Sequence, residues 1–512
     1  MTVLAWTIYI SFAAALVLLL VPRANAQLAR VVALVAALAG LACGFGGATQ
    51  FHPGSIQTIV RAPWIPSLGI EYYLAADGIS ITLVLLTGLA AVAGILFSWN
   101  IETRANEFFA FYLALIGGVY GVFLSFDVFL LFVFYEIAII PKYFIIAIWG
   151  STRREYGAMK LALYSFVGSA MVLIGVIAAF VLAGGKSTNL IELSKFAFPH
   201  SFQLWAFPLV FVGFGILAGL WPFHTWAPTG HVAAPTAASM LLAGVVMKLG
   251  AYGCLRVAMT LFPEGLDRWG FSVLGCGSWR DVLSWLAVIG IVYGATVALV
   301  QRDFKFVIGY SSVSHMGFVL LGLLTLNRYG MSGSVLQMFS HGIIAGLLFA
   351  VVGRMVYDRT HTRELAKLEG MHLNRALPFA AVTFTLAIIA SMGLPGFSGF
   401  VAELQVLIGA WYANPTWAVL SGLGVLVGVA YSLRVLQKAF FADPETSSTS
   451  GESAHAEGHP PMPPISIPER LGAVLLMLAS LVIGLYPRLL LDLIAPSFNS
   501  ALFDGLRKGG GF

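Results

Sequence analysis

Four ionisable side chains lie inside otherwise apolar stretches of this 512-residue chain: Glu136 in FLLFVFYEIAIIPKYFIIAIWG, Lys142 six residues later, Lys248 in SMLLAGVVMKLGAYG and Glu403 in VAELQVLIGAW. A charge at the centre of a bilayer costs roughly 2.5–3.5 kcal/mol on insertion scales, so such groups mark ion or proton paths. A lysine poised between an apolar surround and a carboxylate can load and release a proton. The alternative for each is a purely structural role: an ion pair for Lys248, a carboxylate satisfied by a neighbouring helix for Glu136, a loop-facing acid for Glu403, and a lysine reaching toward a polar neighbour for Lys142.

Histidines add groups that titrate near neutrality and relay protons. His315, in YSSVSHMGFVL, and His341, in FSHGIIAGLLF, sit in hydroxyl-rich surroundings with Ser311, Ser312, Ser314 and Ser340. Hydrogen-bonded core histidines are the competing reading. His224 and His231 flank a stretch in which Pro222, Pro228, Pro235 and Gly230 interrupt the helix. Broken backbone at membrane depth is tolerated only where it is buried in protein or lines a wet cavity. A second interruption, Gly393-Leu-Pro395-Gly396-Phe-Ser-Gly399, precedes Glu403. A discontinuous helix beside a carboxylate is the form of many transporter ion sites.

The elements that position these groups must be membrane helices. Hydrophobic residues make up 59% of the chain and charged residues 10%, against about 25% charged in soluble domains. Stretches able to cross about 30 Å of hydrocarbon fall near 3–21, 28–47, 77–98, 108–124, 127–149, 159–183, 205–226, 232–260, 283–301, 304–325, 333–356, 378–413, 416–440 and 470–492. These fourteen spans predict an all-α polytopic membrane protein, with the stretch 378–413 too long for one straight helix. Of 28 Lys and Arg residues, sixteen, Lys305 among them, fall in loops after odd-numbered spans, and ten, including Arg256 and Arg268, fall on the other side. The positive-inside rule places the first set in the cytoplasm and both termini outside. The net charge of +5 is therefore topology information and no nucleic-acid surface.

Other local signals are weaker. Ala24-Asn25-Ala26 resembles a cleavage site, but no positive region precedes the apolar run, so the first span is expected to remain. Cys43, Cys254 and Cys276 share no ligand-like spacing, and neither a metal site nor a disulfide framework is expected. Residues 443–468, rich in Ser, Pro, Glu and His, read as a flexible cytoplasmic loop whose His455 and His459 are solvated. Pro222-Phe-His-Thr-Trp and Pro395-Gly-Phe-Ser-Gly-Phe echo one another, each a Pro/Gly-aromatic break followed by a helix with a buried charge. The echo suggests two five-helix repeats. The expected division is 1–107 for the first three helices, 108–260 and 283–440 for the repeats, 441–469 for the loop and 470–512 for the last helix.

With these residues in view, the chain resembles the antiporter-like subunits of respiratory complex I, the proton-pumping NADH:quinone oxidoreductase, and most closely their M (chain 4) type. The resemblance covers nearly the whole chain and is carried by residues 64–87, 134–150, 222–253, 303–322, 340–370 and 393–411, including FYEIAIIPKYF, PFHTWAPTGHVAAPTAASMLLAGVVMKLGAYG and GLPGFSGFVAELQVLIGAW. It implies fourteen helices with two inverted five-helix repeats, a hydrophilic axis at mid-membrane, no redox cofactor in this chain, and flanking antiporter-like subunits as partners in the inner (cytoplasmic) membrane. It assigns Glu136, Lys248 and Glu403 to the family's glutamate of the fifth span, lysine of the eighth and glutamate of the twelfth, and His315 and His341 to the central axis.

The sequence departs from that pattern twice. The family normally carries a lysine seven residues before the first histidine of PFHTW, paired with the fifth-span glutamate; here that position is Leu217. The family's Asp in the next segment is also replaced, giving Pro228-Thr229-Gly230-His231. One lysine lost and one gained in neighbouring helices motivates the expectation that Lys142 supplies the missing ammonium. Electrostatic proton translocation is the expected activity, with quinone reduction in other subunits and protons and internal water as the transported medium. The alternatives are a subunit of a multi-subunit cation/proton antiporter or membrane-bound hydrogenase, and a structural subunit with a silent channel.

Overall fold

About twenty apolar residues can satisfy their own backbone in a bilayer only as helix, and helices account for nearly all of this molecule. The computed structural model describes residues 1–267, 269, 276–442 and 462–508. Among the described residues, 13 helices are long and apolar enough to cross a membrane: Thr2–Leu20, Ala26–Thr49, Gly78–Phe97, Ala105–Leu124, Val128–Trp149, Arg154–Leu182, His200–Ala233, Thr236–Met259, Trp279–Val300, Phe304–Leu324, Arg328–Thr360, Pro415–Phe441 and Ile467–Leu485. They match the expected spans one to eleven, thirteen and fourteen. The twelfth consists of two shorter helices, Pro378–Ser391 and Ser398–Ala413, as its Gly-Pro interruption predicts.

Side-chain caps fix where several spans begin. Asp77, Asp127, Ser278, Asp303 and Asn327 each accept an amide of the first turn of the third, fifth, ninth, tenth and eleventh spans, satisfying donors that a helix leaves orphaned. The seventh span breaks where its chemistry requires. His200–Ala218 ends on Gly219, which takes the left-handed conformation at φ +85°, and a short arm, Trp226–Ala233, resumes after Phe223–Thr225. Pro228 lies inside that arm's first turn, where its missing N–H is no loss, so it does not interrupt the backbone as its sequence position suggests. Pro235 does, separating the arm from the eighth span.

The third, eighth and eleventh spans form the core, each completely buried along its apolar window, whereas the sixth and thirteenth are buried over only 39% and 28% of theirs. Lys248 and His341 are therefore carried on helices sheathed by other helices, whereas Glu136 and Lys142 lie on the fifth span, buried over 56% of its window. Arg256, assigned to an outside loop by its position near the end of a span, is instead fully buried and ion-paired with Asp77 at the start of the third span. The rings of Phe126, Tyr252 and Phe503 surround its guanidinium. An uncompensated buried charge is costly, and this pair ties the third and eighth spans together.

Two features lie outside the helical expectation. An antiparallel hairpin, Gln57–Ile65 with Ile70–Ala76, fills the loop between the second and third spans and turns at Gly69, φ +62°. The last span starts at Ile467 and stops at Leu485, before Pro487, and an amphipathic helix, Arg488–Ser497, follows. Its Ser497 Oγ accepts the Gly78 amide at 2.9 Å. Arg268, His455 and His459 lie outside the described residues, as does most of the loop 443–468. Its end is held: Arg359 donates to the carbonyls of Pro463 and Pro464 at 2.8 and 2.9 Å.

Candidate functional site

Lys248 is completely buried, and the reason it is tolerated lies in its own helix. Residues Leu242–Val246 form a π-helical turn just before it. Such bulges recur at functional sites because they disturb the regular i→i+4 ladder. Here the Ala243 carbonyl accepts the Lys248 ammonium, five residues on. A second acceptor comes from the eleventh span, where His341 Nδ1 is 2.7 Å from Lys248 Nζ. That approach depends on glycine. A Cβ on Gly342 would stand 2.6 Å from the Gly244 carbonyl oxygen, and one on Gly244 would stand 3.1 Å from that of Gly342. Without side chains there, the two helix backbones cross closely and bring amine and imidazole together.

From His341 the polar file continues to His315 through a ring contact and not a hydrogen bond. The rings of His341 and His315 lie 5.3 Å apart, centroid to centroid. His315 Nδ1 is 3.0 Å from Glu403 Oε1, and its Nε2 is 3.2 Å from Ser391 Oγ. Gln337 Nε2 donates to the same Glu403 oxygen at 3.2 Å. The broken twelfth span explains this convergence, since Ser391 ends its first arm while Glu403 sits on its second. At the break, Gly393 adopts φ +72°, and a Cβ there would lie 2.8 Å from Glu403 Oε2. Glycine is needed both for the turn and to leave space for the carboxylate.

Two small cavities of about 10 Å³ each, of mixed polar and apolar lining, adjoin this file, one reaching Gln337, Ser340, His341 and Glu403 and the other Ser314, Ser391, Glu403 and Tyr431. Each approaches the size that holds a single water. The hydroxyls expected to hydrate the path divide. Ser340 borders the file and bonds Ser398 Oγ at 2.8 Å. Ser311 instead pairs with Tyr431 at 2.6 Å, and Ser314 donates to the Ile291 carbonyl at 2.8 Å. Among the described residues, no His, Cys, Asp and Glu side chains gather in threes as a metal site requires.

Glu136 and Lys142 form a separate group. Lys142 is buried and donates to Ser165 Oγ on the sixth span at 3.3 Å. Ser169, one turn further on, faces Glu136, and the two charges lie within electrostatic reach of each other without a direct ion pair. A regular helix would turn positions six apart onto different faces; here Pro141 lies inside the helix, immediately before Lys142. Between this group and Lys248 the packing is apolar. Leu217 is buried, Tyr135 meets Phe214 ring to ring at 5.5 Å, and a Cβ on Gly250 would strike the backbone at Phe214, Leu217 and Ala218 within 3.0 Å.

The structure thus brings Lys248, His341, His315 and Glu403 together and leaves Glu136 and Lys142 apart from them. Two participants were missed in the sequence. Gln337 carried a signal, a polar residue one turn before His341 on an apolar helix. Lys305 was counted with the loop cations because it stands at the very start of the tenth apolar run, yet it is 3% exposed. His224 and His231, beside the first break, are both buried with neither ring nitrogen hydrogen-bonded.

Comparison with known proteins follows this geometry. A family profile described as NADH:quinone oxidoreductase/Mrp antiporter, TM, matches residues 125–428. NADH-quinone oxidoreductase subunit M of Rhodobacter capsulatus is 37% identical over 459 residues, 87% of this chain and 84% of that protein. NAD(P)H-quinone oxidoreductase chain 4 1 of Synechococcus sp. (strain JA-2-3B'a(2-13)) is 37% identical over 442 residues, 85% of this chain and 80% of the relative. Among solved structures, a chain of respiratory complex I from Thermus thermophilus with bound NADH superposes with a TM-score of 0.84 at 28% identity, covering 98% of this chain and 100% of that chain. A chain of the Mrp complex from Dietzia sp. DQ12-45-1b gives 0.83 at 21% identity, covering 98% and 97%, which is a likeness of fold alone.

Proposed function

The chain belongs to the NADH:quinone oxidoreductase/Mrp antiporter transmembrane family, and on that premise we propose that it is a proton-translocating subunit of the membrane arm of a respiratory complex I. It works as a multi-pass protein of the inner (cytoplasmic) membrane beside other antiporter-like subunits. The relatives named subunit M and chain 4 align over most of the length of both partners, which favours this reading over a cation/proton antiporter. This chain contributes no redox centre; quinone reduction takes place in other subunits. Its two five-helix units, spans four to eight and nine to thirteen, are inverted repeats, each built around one broken span.

The observation that carries the reading is the file from Lys248 through His341 and His315 to Glu403. Its members are proton donors and acceptors held at hydrogen-bonding or ring-contact distance inside helices that exclude lipid. A proton on Lys248 passes to His341, which needs only a short rotation or one water to reach His315, and Glu403 stabilises the imidazolium that forms there. Glu136 and Lys142, at a distance, bias the charge on Lys248 electrostatically, as do charges in the adjoining subunit. Glu403 serves exchange toward the outside. Moving one charge against 100 mV requires about 2.3 kcal/mol, so the redox subunits must drive it.

The test is proton pumping by the assembled enzyme. Lys248→Ala is expected to lower the protons moved per electron severely while the complex still assembles. Normal pumping by an assembled Lys248→Ala complex would overturn the role of the file.

A further inference from the structure

Lys305 opens the tenth span and is buried there, and no step so far uses it. Its Nζ donates to the Ala234 carbonyl at 2.8 Å and to Ser239 Oγ at 3.3 Å. Both acceptors belong to the junction where the seventh span ends and the eighth begins. An ammonium carries three donors, so one remains for the space above it.

That space is a cavity of about 230 Å³. Lys305 shares its lining with Ser98, Asn100, Ser151, Thr236, Arg354 and Asp358, all at span ends that the distribution of positive charge places on the cytoplasmic side. Asn100 stands exposed at the rim, while Ser98 is buried. The cavity is therefore a polar vestibule whose floor is a buried amine. The charged groups facing Lys305 are already engaged with one another: Arg363 lies 3.3 Å from Asp303 and Arg354 lies 2.7 Å from Asp358. Asp303 caps the Lys305 backbone amide at 2.8 Å, but neither carboxylate accepts from the Lys305 ammonium, whose acceptors are a carbonyl and a hydroxyl. An ammonium kept only for structure would be expected to pair with one of them.

On its inner side, Lys305 leads to the proposed file. Ser239, which accepts from Lys305, donates to the His231 carbonyl at 2.7 Å. His231 is fully buried with both ring nitrogens unbonded, and its ring lies within electrostatic reach of both Lys305 and Lys248. An imidazole within electrostatic reach of two amines, with both ring nitrogens free, has the groups that pass a proton from one to the other.

We infer that Lys305 is the inlet of the proton path, taking protons from the cytoplasmic vestibule and delivering them through His231 to Lys248. In each cycle a hydronium in the vestibule protonates the neutral Lys305 amine and leaves water. The ammonium then gives its proton to one His231 nitrogen, and the other nitrogen releases a proton to neutral Lys248. Lys305 ends as it began, His231 ends neutral in its other tautomer and is reset by a flip of its ring, and one proton has moved inward. The inference rests on the reading of the Lys248 file given above.

The test uses the assembled complex in inverted membrane vesicles, whose cytoplasmic face is outward, with protons moved per electron as the readout. Lys305→Met is expected to lower that ratio at least threefold. Lys305→His should restore part of the loss with the optimum moved to lower pH, because an imidazole holds a proton less tightly than an amine in the same surroundings. A bulky thiol reagent attached to Asn100→Cys from the cytoplasmic side should slow pumping relative to the same variant unlabelled. Full pumping by Lys305→Met alongside loss in Lys248→Ala would overturn the inlet and leave the central file standing. Normal pumping by Lys248→Ala would remove the file itself. If Lys305→Met does not assemble, an unshifted pH profile in Lys305→His together with insensitivity to the label would overturn the inlet.

Discussion

The fifth span and the eighth to twelfth spans each bury a glutamate and a lysine, yet only the second set, with His341 and His315 beside them, forms a file. Lys248 reaches a histidine at 2.7 Å, and Glu403 reaches another at 3.0 Å. Glu136 and Lys142 reach toward serines of a partly lipid-facing helix and are separated from Lys248 by Leu217, Phe214 and Tyr135. The difference lies both in the two histidines, which the first set lacks, and in the surroundings. Around Lys248 a π-helical turn exposes a carbonyl, and paired glycines let the neighbouring backbone close in. Around Glu136 the position facing the eighth span is a leucine. On the proposed reading, the first half acts on the second through its electric field and the second carries the proton.

This contrast can be broken by substitution, starting with the strongest member. Glu403→Gln keeps the shape but removes the counter-charge of His315, and about a tenfold fall in pumping, some 1.4 kcal/mol of barrier, is expected. Pumping within twofold of the parent would mean that Glu403 only holds the break together. Next comes the relocated lysine. Lys142→Leu should reduce the protons moved per electron by roughly 0.7–1 kcal/mol worth of coupling, about three- to fivefold, and adding Leu217→Lys should recover most of it. No recovery in the double variant would show that Lys142 does not stand in for the lysine absent at 217.

The link between Glu136 and Lys142 is sharpened by a double-mutant cycle. If the two act as one unit, Glu136→Gln combined with Lys142→Leu should cost no more than the worse single change, giving an interaction term of about 0.5–1 kcal/mol; additive losses would separate their roles. The smallest effect is expected at Ser165→Ala, which removes one neutral partner of the Lys142 ammonium at 3.3 Å and should change pumping by about twofold, the low end of the roughly 0.5–1.5 kcal/mol of an ordinary hydrogen bond. A loss matching that of Lys142→Leu would place Ser165 in the path and not beside it.

Much of the site was readable before any coordinates. Long apolar runs allow only helices in a bilayer, so each charge inside one stood out, and Glu136, Lys142, Lys248, Glu403, His315 and His341 could all be picked out singly. The two broken spans were equally visible, because Pro and Gly interrupt a helix by local sterics. Gln337 was less visible, since one amide among apolar residues carries a weak signal. Lys305 and Arg256 were misplaced for a shared reason: position near the end of an apolar run suggests a loop, but burial depends on what packs against that end. For Lys305 that is the junction before the eighth span, and for Arg256 it is Asp77.

By itself the sequence determined the membrane class, the order of spans, their breaks and the identities of the titratable groups, because these follow from hydropathy and backbone sterics within a few turns of chain. Only the tertiary structure decided which of those groups meet. Lys248 and His341 are 93 residues apart, and His315 and Glu403 belong to spans two places apart in the chain. Their contacts depend on Gly244 opposite Gly342 and on the angle at Gly393. Such close crossings are set by how whole helices pack, and no local pattern of polar and apolar residues records them.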